Sequence, residues 1–294
     1  MGLIRNDSHI FDRRREEGLF TVRYLCMRWE YPTGDCILVR SPDGKTMLID
    51  SGVSHTADQV LEYLERLGVE TIDLVLLTHP HGDHVGGMAR ILEEKHVKKL
   101  YTINVSLENL YSDAYRDAEE VLARKQISRH VVGEGEKFSL GADVSIEVLS
   151  PEKEFKLSEL EYRYDSILNN HSMVYKVTYK NNSFLFSTDI YEEREQLLIE
   201  KYGAYLQADV MHAPHHGSTS SSSVAYIRSV NPQVAIVSFH RNNPVTAEIL
   251  ARYRSLGVKP YHVGIHGNIM LVSDGKQIEV VTENGEDQEE KIVG

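Results

Sequence analysis

Four side chains of metal-ligating types fall within six residues in the stretch Thr78-His79-Pro80-His81-Gly82-Asp83-His84. The stretch ends an apolar run, residues 72–78, of the kind that forms a strand buried on both faces. A loop that follows such a strand can turn neighbouring side chains towards one point. Imidazole and carboxylate groups without a nearby cysteine suit zinc, and also manganese or iron. We therefore predict a metal site, with one cation at His79 and His81 and a second at Asp83 and His84.

The residues before this loop predict how the chain folds. Val60, Leu61, Leu64 and Leu67 recur at helical spacing between two strand-like runs, so residues 46–78 read as strand, helix and strand. Strands and helices continue to alternate along the chain, with hairpins among them. This pattern predicts an α/β fold, an αββα sandwich of two mixed β-sheets flanked by helices. We expect one domain over residues 1–282 and a flexible acidic tail over residues 283–294.

Composition excludes several classes of protein. The chain has 294 residues, 41% of them hydrophobic and 26% charged, which is ordinary for a globular protein and argues against disorder. No apolar run approaches the ~20 residues of a membrane-spanning helix, so we expect no membrane partner. Two cysteines are too few for a disulfide framework. No signal peptide is visible, which favours a cytoplasmic protein, or a secreted one if the chain is a mature fragment. The oligomeric state is not indicated.

Two later segments also place candidate ligands just after strands. Asp189 follows an apolar strand, where its carboxylate could bridge two cations or cap the next helix. His215 and His216 follow another strand, and one of them could be a ligand while the other donates a proton to a leaving group. His212, inside that strand, is predicted to be a buried structural histidine.

These motifs resemble the metallo-β-lactamase superfamily over most of the chain. The stretch from Thr78 to Gly87 is similar to its signature loop, and Leu48-Ile49-Asp50-Ser51-Gly52 is similar to its LIDTG motif. The finer resemblance is to the ComEC-like branch, which contains the metallo-hydrolase domain of the competence DNA-uptake channel, and to the phosphorylcholine esterases. Four features carry it, in the family's order: Gly34-Asp35-Cys36-Ile37, Asn170-His171-Ser172, Asp189, and the run from Pro214 to Ser218.

The resemblance implies a role for each of these residues. His79 and His81 would bind the first metal, while Asp83, His84 and His216 would bind the second. Asp189 would bridge the two metals, and a hydroxide held between them would be the nucleophile. His215 would protonate the leaving group or hold a substrate oxygen, which makes His215 and Asp83 the candidate catalytic residues. Asp50, Asn170 and Ser172 would support the site without binding metal.

The sequence departs from the family's pattern in the region that borders the substrate pocket. His240 and Arg241 stand near the place of a usual Gly-His pair, and we consider both as substrate contacts. His171, next to the position of another superfamily ligand, is a further candidate for contact with the substrate or a metal. Trp29 and tyrosines 162, 164 and 175 could form an aromatic wall, although scattered tyrosines more often pack in the core.

We therefore predict a hydrolase with two divalent cations, zinc first and manganese or iron as alternatives. Its preferred substrate is a small or zwitterionic phosphodiester or a short nucleic acid. Long nucleic acid is a poorer partner because the net charge is −12 and nuclease surfaces are basic. Two alternatives stay open: an ester, lactone, thioester or β-lactam hydrolase of the same superfamily, and a non-catalytic metal-binding sensory module.

Overall fold

The computed structural model describes residues 10–28, 33–105, 112–154, 165–238 and 247–285. Their strands form two large sheets and one short parallel pair, which confirms the predicted mixed α/β fold. Cys26 and Cys36 are buried free thiols.

The first sheet has eight strands in the order β17-β16-β1-β2-β3-β5-β7-β8. The pairs β3-β5, β5-β7 and β7-β8 are parallel, and the other pairs are antiparallel. The strands are β1 (Phe20–Tyr24), β2 (Ile37–Arg40), β3 (Thr46–Ile49), β5 (Leu74–Leu77), β7 (Lys99–Thr102), β8 (Ser128–Val131), β16 (Ile269–Ser273) and β17 (Ile278–Thr282), and β4 (Thr71–Ile72) pairs separately with β6 (His96–Val97).

The second sheet has seven strands in the order β15-β14-β13-β12-β11-β10-β9. Its strands from β12 to β15 are parallel, and the β9-β10-β11-β12 segment is antiparallel. The strands are β9 (Lys137–Leu140), β10 (Val144–Ser150), β11 (Val174–Tyr179), β12 (Asn182–Phe186), β13 (Val210–His212), β14 (Val234–Val237) and β15 (Lys259–His262).

Aromatic packing joins the inner faces of the two sheets. The ring of Phe20 on β1 lies 5.1 Å from that of Phe184 on β12 and 5.5 Å from that of Tyr179 on β11. Burial of such large side chains is the main stabilising contribution of a core like this one. The two sheets therefore share one central core, as a sandwich requires.

Helices cover the outer faces of both sheets. Helices α1, α3 and α4 bury their apolar stripes against the first sheet, and α6, α7 and α8 form a separate apolar cluster with the second sheet. The helices are α1 (Ala57–Arg66), α2 (Gly82–Val85), α3 (Met88–Glu94), α4 (Asp113–Lys125), α5 (Asp165–Asn170), α6 (Glu192–Tyr202), α7 (Val224–Val230), α8 (Ala247–Ser255) and α9 (Val263–His266). The predicted strand–helix–strand unit is confirmed as β3, α1 and β5, with β3 parallel to β5.

Two further observations concern the ends and surfaces of the chain. Glu283, which we placed in the tail, is buried and accepts hydrogen bonds from the backbone and side chain of Asn268. The tail beyond residue 285 lies outside the described residues. In the described part of the chain, no helix combines the length and apolar character needed to cross a membrane.

Candidate metal centre

The candidate ligands come from both sheets and meet at one end of the sandwich. His79 lies two residues after the end of β5 in the first sheet, and Asp83 and His84 lie in the short helix α2. Asp189 follows β12 and His216 follows β13 of the second sheet. The carboxyl ends of parallel strands lie at one edge of a sheet, which is the usual place for functional residues in α/β folds.

Asp189 is the point where the cluster converges. Its Oδ2 atom lies 3.2 Å from His84 Nε2, 3.4 Å from His216 Nε2 and 3.7 Å from His79 Nε2. His216 Nε2 also lies 3.6 Å from Asp83 Oδ2. His81 presents its Nδ1 atom to His79 Nε2 at 3.1 Å. The structure thus brings together all six predicted metal ligands.

The donor atoms fit divalent cations. Two groups of three predicted ligands, His79-His84-Asp189 and Asp83-His84-His216, each offer ligand atoms that lie within 4.8 Å of one another. A third such group adds Asp35 to Asp189 and His216. The Oδ1 atom of Asp189 is buried and has no hydrogen-bond partner among the described residues. Buried polar atoms are almost always satisfied, so an unsatisfied carboxylate oxygen among imidazole nitrogens indicates a cation site.

The pKa shifts within the cluster also favour a bound cation. Burial alone would raise the pKa of Asp189, but His216 and His84 outweigh it and hold that pKa well below its ordinary value. Burial would lower the pKa of His84, yet Asp189 and Asp50 raise it well above its ordinary value. Burial lowers the pKa of His79 well below its ordinary value. The buried carboxylates therefore favour positive charge beside them, which a bound metal would supply.

Asp50 holds the metal loop in place. Its carboxylate accepts hydrogen bonds from the backbone nitrogen of Thr78 (2.9 Å) and the hydroxyl of Thr78 (2.7 Å), and it lies 2.8 Å from His84 Nδ1. A carboxylate on the far nitrogen fixes the tautomer and orientation of a metal-binding imidazole. Ser51 adds two hydrogen bonds to the carbonyl of His84. The structure thus places Asp50 at His84 Nδ1, whereas His84 Nε2 faces Asp189.

His215 lies beside the cluster, on a wall that leads to it. Its ring stacks on that of Tyr191, with centroids 4.8 Å apart. Its Nδ1 atom lies 2.8 Å from Ser220 Oγ, and its Nε2 atom lies 3.4 Å from Asn169 Nδ2. Burial lowers the pKa of His215 to about 4. These contacts hold the ring in one orientation without making it part of the cluster at Asp189.

The backbone on the second-sheet side of the site is unusually shaped. Thr188, His215 and His216 have φ angles of 44°, 47° and 52°, in the left-handed region that residues other than glycine rarely adopt. The amide of His215 donates to the carbonyl of Thr188 at 2.7 Å, which ties the two loops together. Such conformations cost about 1 kcal/mol or more each and cluster at functional sites.

The segment before β11 carries three of the predicted site residues. Residues 165–170 form helix α5, in which Asn169 lines the cavity and Asn170 Oδ1 accepts a hydrogen bond from the amide of Tyr191. His171 turns its Nδ1 to the carbonyl of Ile167 at 2.7 Å and lies outside the described cavity lining. Ser172 is placed as expected for support, because its hydroxyl accepts a hydrogen bond from the amide of Asp189.

Tyr175, the described member of the predicted aromatic wall, does not face the site. Tyr175 is fully buried and its ring stacks on Phe186 at 4.9 Å, so it packs in the core between the sheets. Trp29, Tyr162 and Tyr164 lie outside the described residues, as do His240 and Arg241. The predicted substrate contacts at His240 and Arg241 therefore stay predictions.

Sequence reasoning missed four residues of the site. Asp35 touches His216 and His212, Asp165 faces His81, and Asn169 and Tyr191 line the cavity. Only Asp35 carried a signal, the Gly-Asp turn. Asp165, Asn169 and Tyr191 are common residue types whose placement depends on α5 and on the loop after β12.

A cavity of about 490 Å³ opens onto the cluster. Its described lining contains four of the six candidate ligands and several other residues: His81, Gly82, Asp83, Asp165, Asn169, Asp189, Tyr191, His215, His216 and Ser218. This volume lies within the range of small-molecule sites. The cavity therefore gives a small substrate access to the edge of the cluster, whereas His79 and His84 are buried behind it.

Comparison with models of known protein families identifies the family of this chain. The model of the metallo-beta-lactamase superfamily matches residues 32–240, which include every candidate ligand. The chain belongs to the metallo-beta-lactamase superfamily. With the buried cluster of histidines and aspartates, its site is that of a metal-dependent hydrolase of this superfamily.

The chain is also similar to part of several longer proteins. It is 26% identical over 229 residues to ComE operon protein 3 of Bacillus subtilis, covering 71% of this chain and 27% of that protein. It is 29% identical over 224 residues to Recombination protein 2 of Haemophilus influenzae, covering 72% of this chain and 25% of that protein. The predicted ComEC-like resemblance is confirmed, and the chain spans about a quarter of the length of these relatives.

Solved structures show the same fold with different metals. Zn(2+)-bound PqqB from Methylobacterium extorquens superposes with a TM-score of 0.51 at 12% identity, over 82% of this chain and 97% of that one. CmlA, a diiron β-hydroxylase from Streptomyces venezuelae, superposes with a TM-score of 0.52 at 14% identity, over 87% of this chain and 54% of that one. At these identities the likeness concerns the fold alone.

Proposed function

We propose that this chain is a binuclear metal-dependent phosphodiesterase that acts on a small or zwitterionic phosphodiester. The observation that carries the proposal is the convergence of His79, His84 and His216 on Asp189, with Asp83 beside His216, at an open cavity. Zinc is the first choice of metal because imidazole and carboxylate suit it, with manganese or iron as alternatives.

The residues of the cluster divide into two sets of ligands. His79 and His81 would hold one cation, Asp83, His84 and His216 the other, and Asp189 both. When bound, such a pair of cations lowers the pKa of a water molecule and stabilises negative charge on the oxygens of a phosphoryl group.

The cavity wall supplies the remaining groups. His215 Nε2 and Asn169 Nδ2 lie on the wall beside the cluster, where they can donate a proton or a hydrogen bond to a departing oxygen. Tyr191 stacks on the His215 ring and Ser220 binds its Nδ1, so the ring enters the reaction already oriented. Preorganised groups of this kind contribute to catalysis because they need no rearrangement during the reaction.

Charge and size favour a small substrate over a long polyanion. The described lining residues include three aspartates, Asp83, Asp165 and Asp189, and no lysine or arginine. The whole chain carries a net charge of −12. Long nucleic acid is held mainly by lysine and arginine contacts to phosphates, which this lining lacks. Because the relatives' names refer to competence and recombination, a short oligonucleotide belongs among the tested substrates.

The experiment combines metal analysis with a generic substrate. The purified protein is assayed for metal content and for hydrolysis of bis(p-nitrophenyl) phosphate, before and after chelation and re-addition of zinc or manganese. His84→Ala should abolish both metal binding and turnover, because His84 lies in both groups of converging ligand atoms. His96→Ala is the matched control, since His96 is an exposed histidine on the short strand β6.

The outcomes separate the candidate functions. About two metals per chain with chelator-sensitive turnover supports the proposal. Two metals with hydrolysis only of nitrocefin, a thioester or a lactone would replace it with another hydrolase of the superfamily. Failure to bind metal even after reconstitution would leave a non-catalytic module.

A further inference from the structure

Asp35 is a buried carboxylate that lies between the two halves of the metal centre. It belongs to the turn before β2 in the first sheet and is 2% exposed. Its two carboxylate oxygens each lie 3.3 Å from an imidazole nitrogen of the second sheet, Oδ1 from His216 Nδ1 and Oδ2 from His212 Nε2. An unpaired carboxylate would be very costly at this depth, so these contacts account for its burial.

The two nitrogens of His216 face different groups. Its Nδ1 atom lies against Asp35 and 2.9 Å from Ser238 Oγ, while its Nε2 atom lies 3.4 Å from Asp189 and 3.6 Å from Asp83. Asp35 therefore meets the ring at Nδ1, whereas Asp189 and Asp83 meet it at Nε2. A carboxylate at the far nitrogen of a metal-binding imidazole orients that ligand, although an oxygen of Asp35 also lies within 4.8 Å of ligand atoms of Asp189 and His216.

The backbone of the same turn is tied to the metal loop. The amide of Asp35 donates to the carbonyl of Asp83 at 3.1 Å, and the carbonyl of Asp35 accepts from the amide of Gly52 at 2.7 Å. A Cβ atom on Gly34 would lie 1.6 Å from the carbonyl oxygen of Asp83, so the turn approaches the loop as closely as a glycine allows. One residue thus contacts Asp83 through its main chain and His216 through its side chain.

We propose that Asp35 is the positioning residue of the second metal site, since its carboxylate faces His216 Nδ1 at 3.3 Å while its amide binds the carbonyl of Asp83, which fixes the spacing between His216 and Asp83. This inference rests on the proposed metal function. It predicts that the two cations depend unequally on Asp35. The site of Asp83, His84 and His216 needs it, whereas His79 and His81 have no contact with it in the described residues.

The test uses Asp35→Asn, which keeps the shape of the side chain and removes its charge. Zinc titration by calorimetry should show one site unchanged and the other weakened by about 10- to 100-fold, the usual effect of losing such a supporting group. Cobalt substitution provides a second readout, because the visible absorption of the weakened site should be lost at limiting cobalt. Neither measurement depends on activity.

Asp209→Asn is the matched control. Asp209 accepts a hydrogen bond from the amide of Ser183 at 2.8 Å and precedes β13, whereas His212 ends that strand. The Asp209→Asn substitution should leave the zinc affinities of both sites unchanged. Two strong sites in Asp35→Asn, or equal weakening of both, would overturn the inference while the proposed function stands. Failure of the unmodified protein to bind metal would overturn both.

Ser238→Ala keeps the inference testable if Asp35→Asn does not fold. This variant removes the hydroxyl at His216 Nδ1 and leaves the Asp35 carboxylate in place. The second site should then weaken by less than about threefold, because a neutral hydrogen bond contributes little beside a charged one. A loss of about tenfold or more would show that Ser238 positions His216 and would overturn the role of Asp35.

Discussion

The two halves of the metal centre are built in different ways. The first-sheet half is contiguous: His79, His81, Asp83 and His84 occupy one loop, which Asp50 holds from the end of the adjacent strand β3. The second-sheet half comprises Asp189 and His216, which are separated along the chain and brought together by left-handed backbone at Thr188, His215 and His216.

This difference shows which half depends on the rest of the fold. A contiguous loop needs only one anchor, and Asp50 provides it with three short contacts. The second half needs both loops of its own sheet and a contact from the other sheet. We therefore expect substitutions at the junction of the halves to have the largest effects and those at the rim of the first half to have the smallest.

The largest effect is expected for Asp189→Ala, which removes the residue that both halves share. Three imidazoles would lose the carboxylate at their centre, so both metal content and turnover should fall, turnover by at least about 100-fold. Elemental analysis of the purified variant, alongside the bis(p-nitrophenyl) phosphate assay, measures both. Full retention of two metals would show that Asp189 does not bridge the halves.

Gly34→Ala tests, through stability, how closely the turn that carries Asp35 approaches the metal loop. The new Cβ would overlap the carbonyl oxygen of Asp83, and the φ of 68° also disfavours alanine. We expect a loss of about 3 kcal/mol in the free energy of unfolding, most of it from the steric overlap. Denaturant unfolding of the metal-free protein measures it.

Gly44→Ala separates the steric and the backbone contributions to the destabilisation expected for Gly34→Ala. Gly44 has a φ of 81°, but a Cβ there would meet nothing within 4 Å. It should therefore cost only the backbone term, about 1 kcal/mol. Equal losses in the two variants would mean that the turn at Gly34 can move away from the metal loop without penalty.

His215→Ala tests whether a residue that lies in the second-sheet half must also bind metal. Although His215 adjoins His216, its ring faces Tyr191, Ser220 and Asn169. Turnover should fall by about 100-fold, typical of losing a proton donor or a hydrogen bond to the reacting group, while both metals stay bound. Metal loss equal to that of Asp189→Ala would show that His215 supports the cluster itself.

The contrast between the halves also explains how far the sequence could predict the site. The loop from His79 to His84 is local, so its residue types and the preceding apolar strand were sufficient to predict a metal site there. Asp189 and His216 were candidates from their own segments, but their assignment to the same site required the family resemblance, because nothing in those segments shows that β12 and β13 end beside β5. Asn169 was missed because helix α5 could not be located from a polar segment. The fold was more predictable, since the alternation of apolar strands and amphipathic helices is itself a local signal.

The smallest effect is expected for Asp165→Asn, at the rim of the first half. Asp165 Oδ1 lies 3.7 Å from His81 Nε2, yet its side chain is 86% exposed, so solvent screens the interaction. Zinc affinity should change by less than about threefold.

Asp50→Asn is the buried counterpart of this substitution. It makes the same chemical change at 2.8 Å from His84 Nδ1 and should weaken zinc affinity by about tenfold or more. Calorimetric titration of both variants at low and high salt decides the comparison, because only a screened carboxylate should lose its small effect as salt rises. Similar losses of zinc affinity in the two variants would show that exposure does not distinguish the two supporting carboxylates. Asp165 would then be as essential to the metal loop as the buried Asp50.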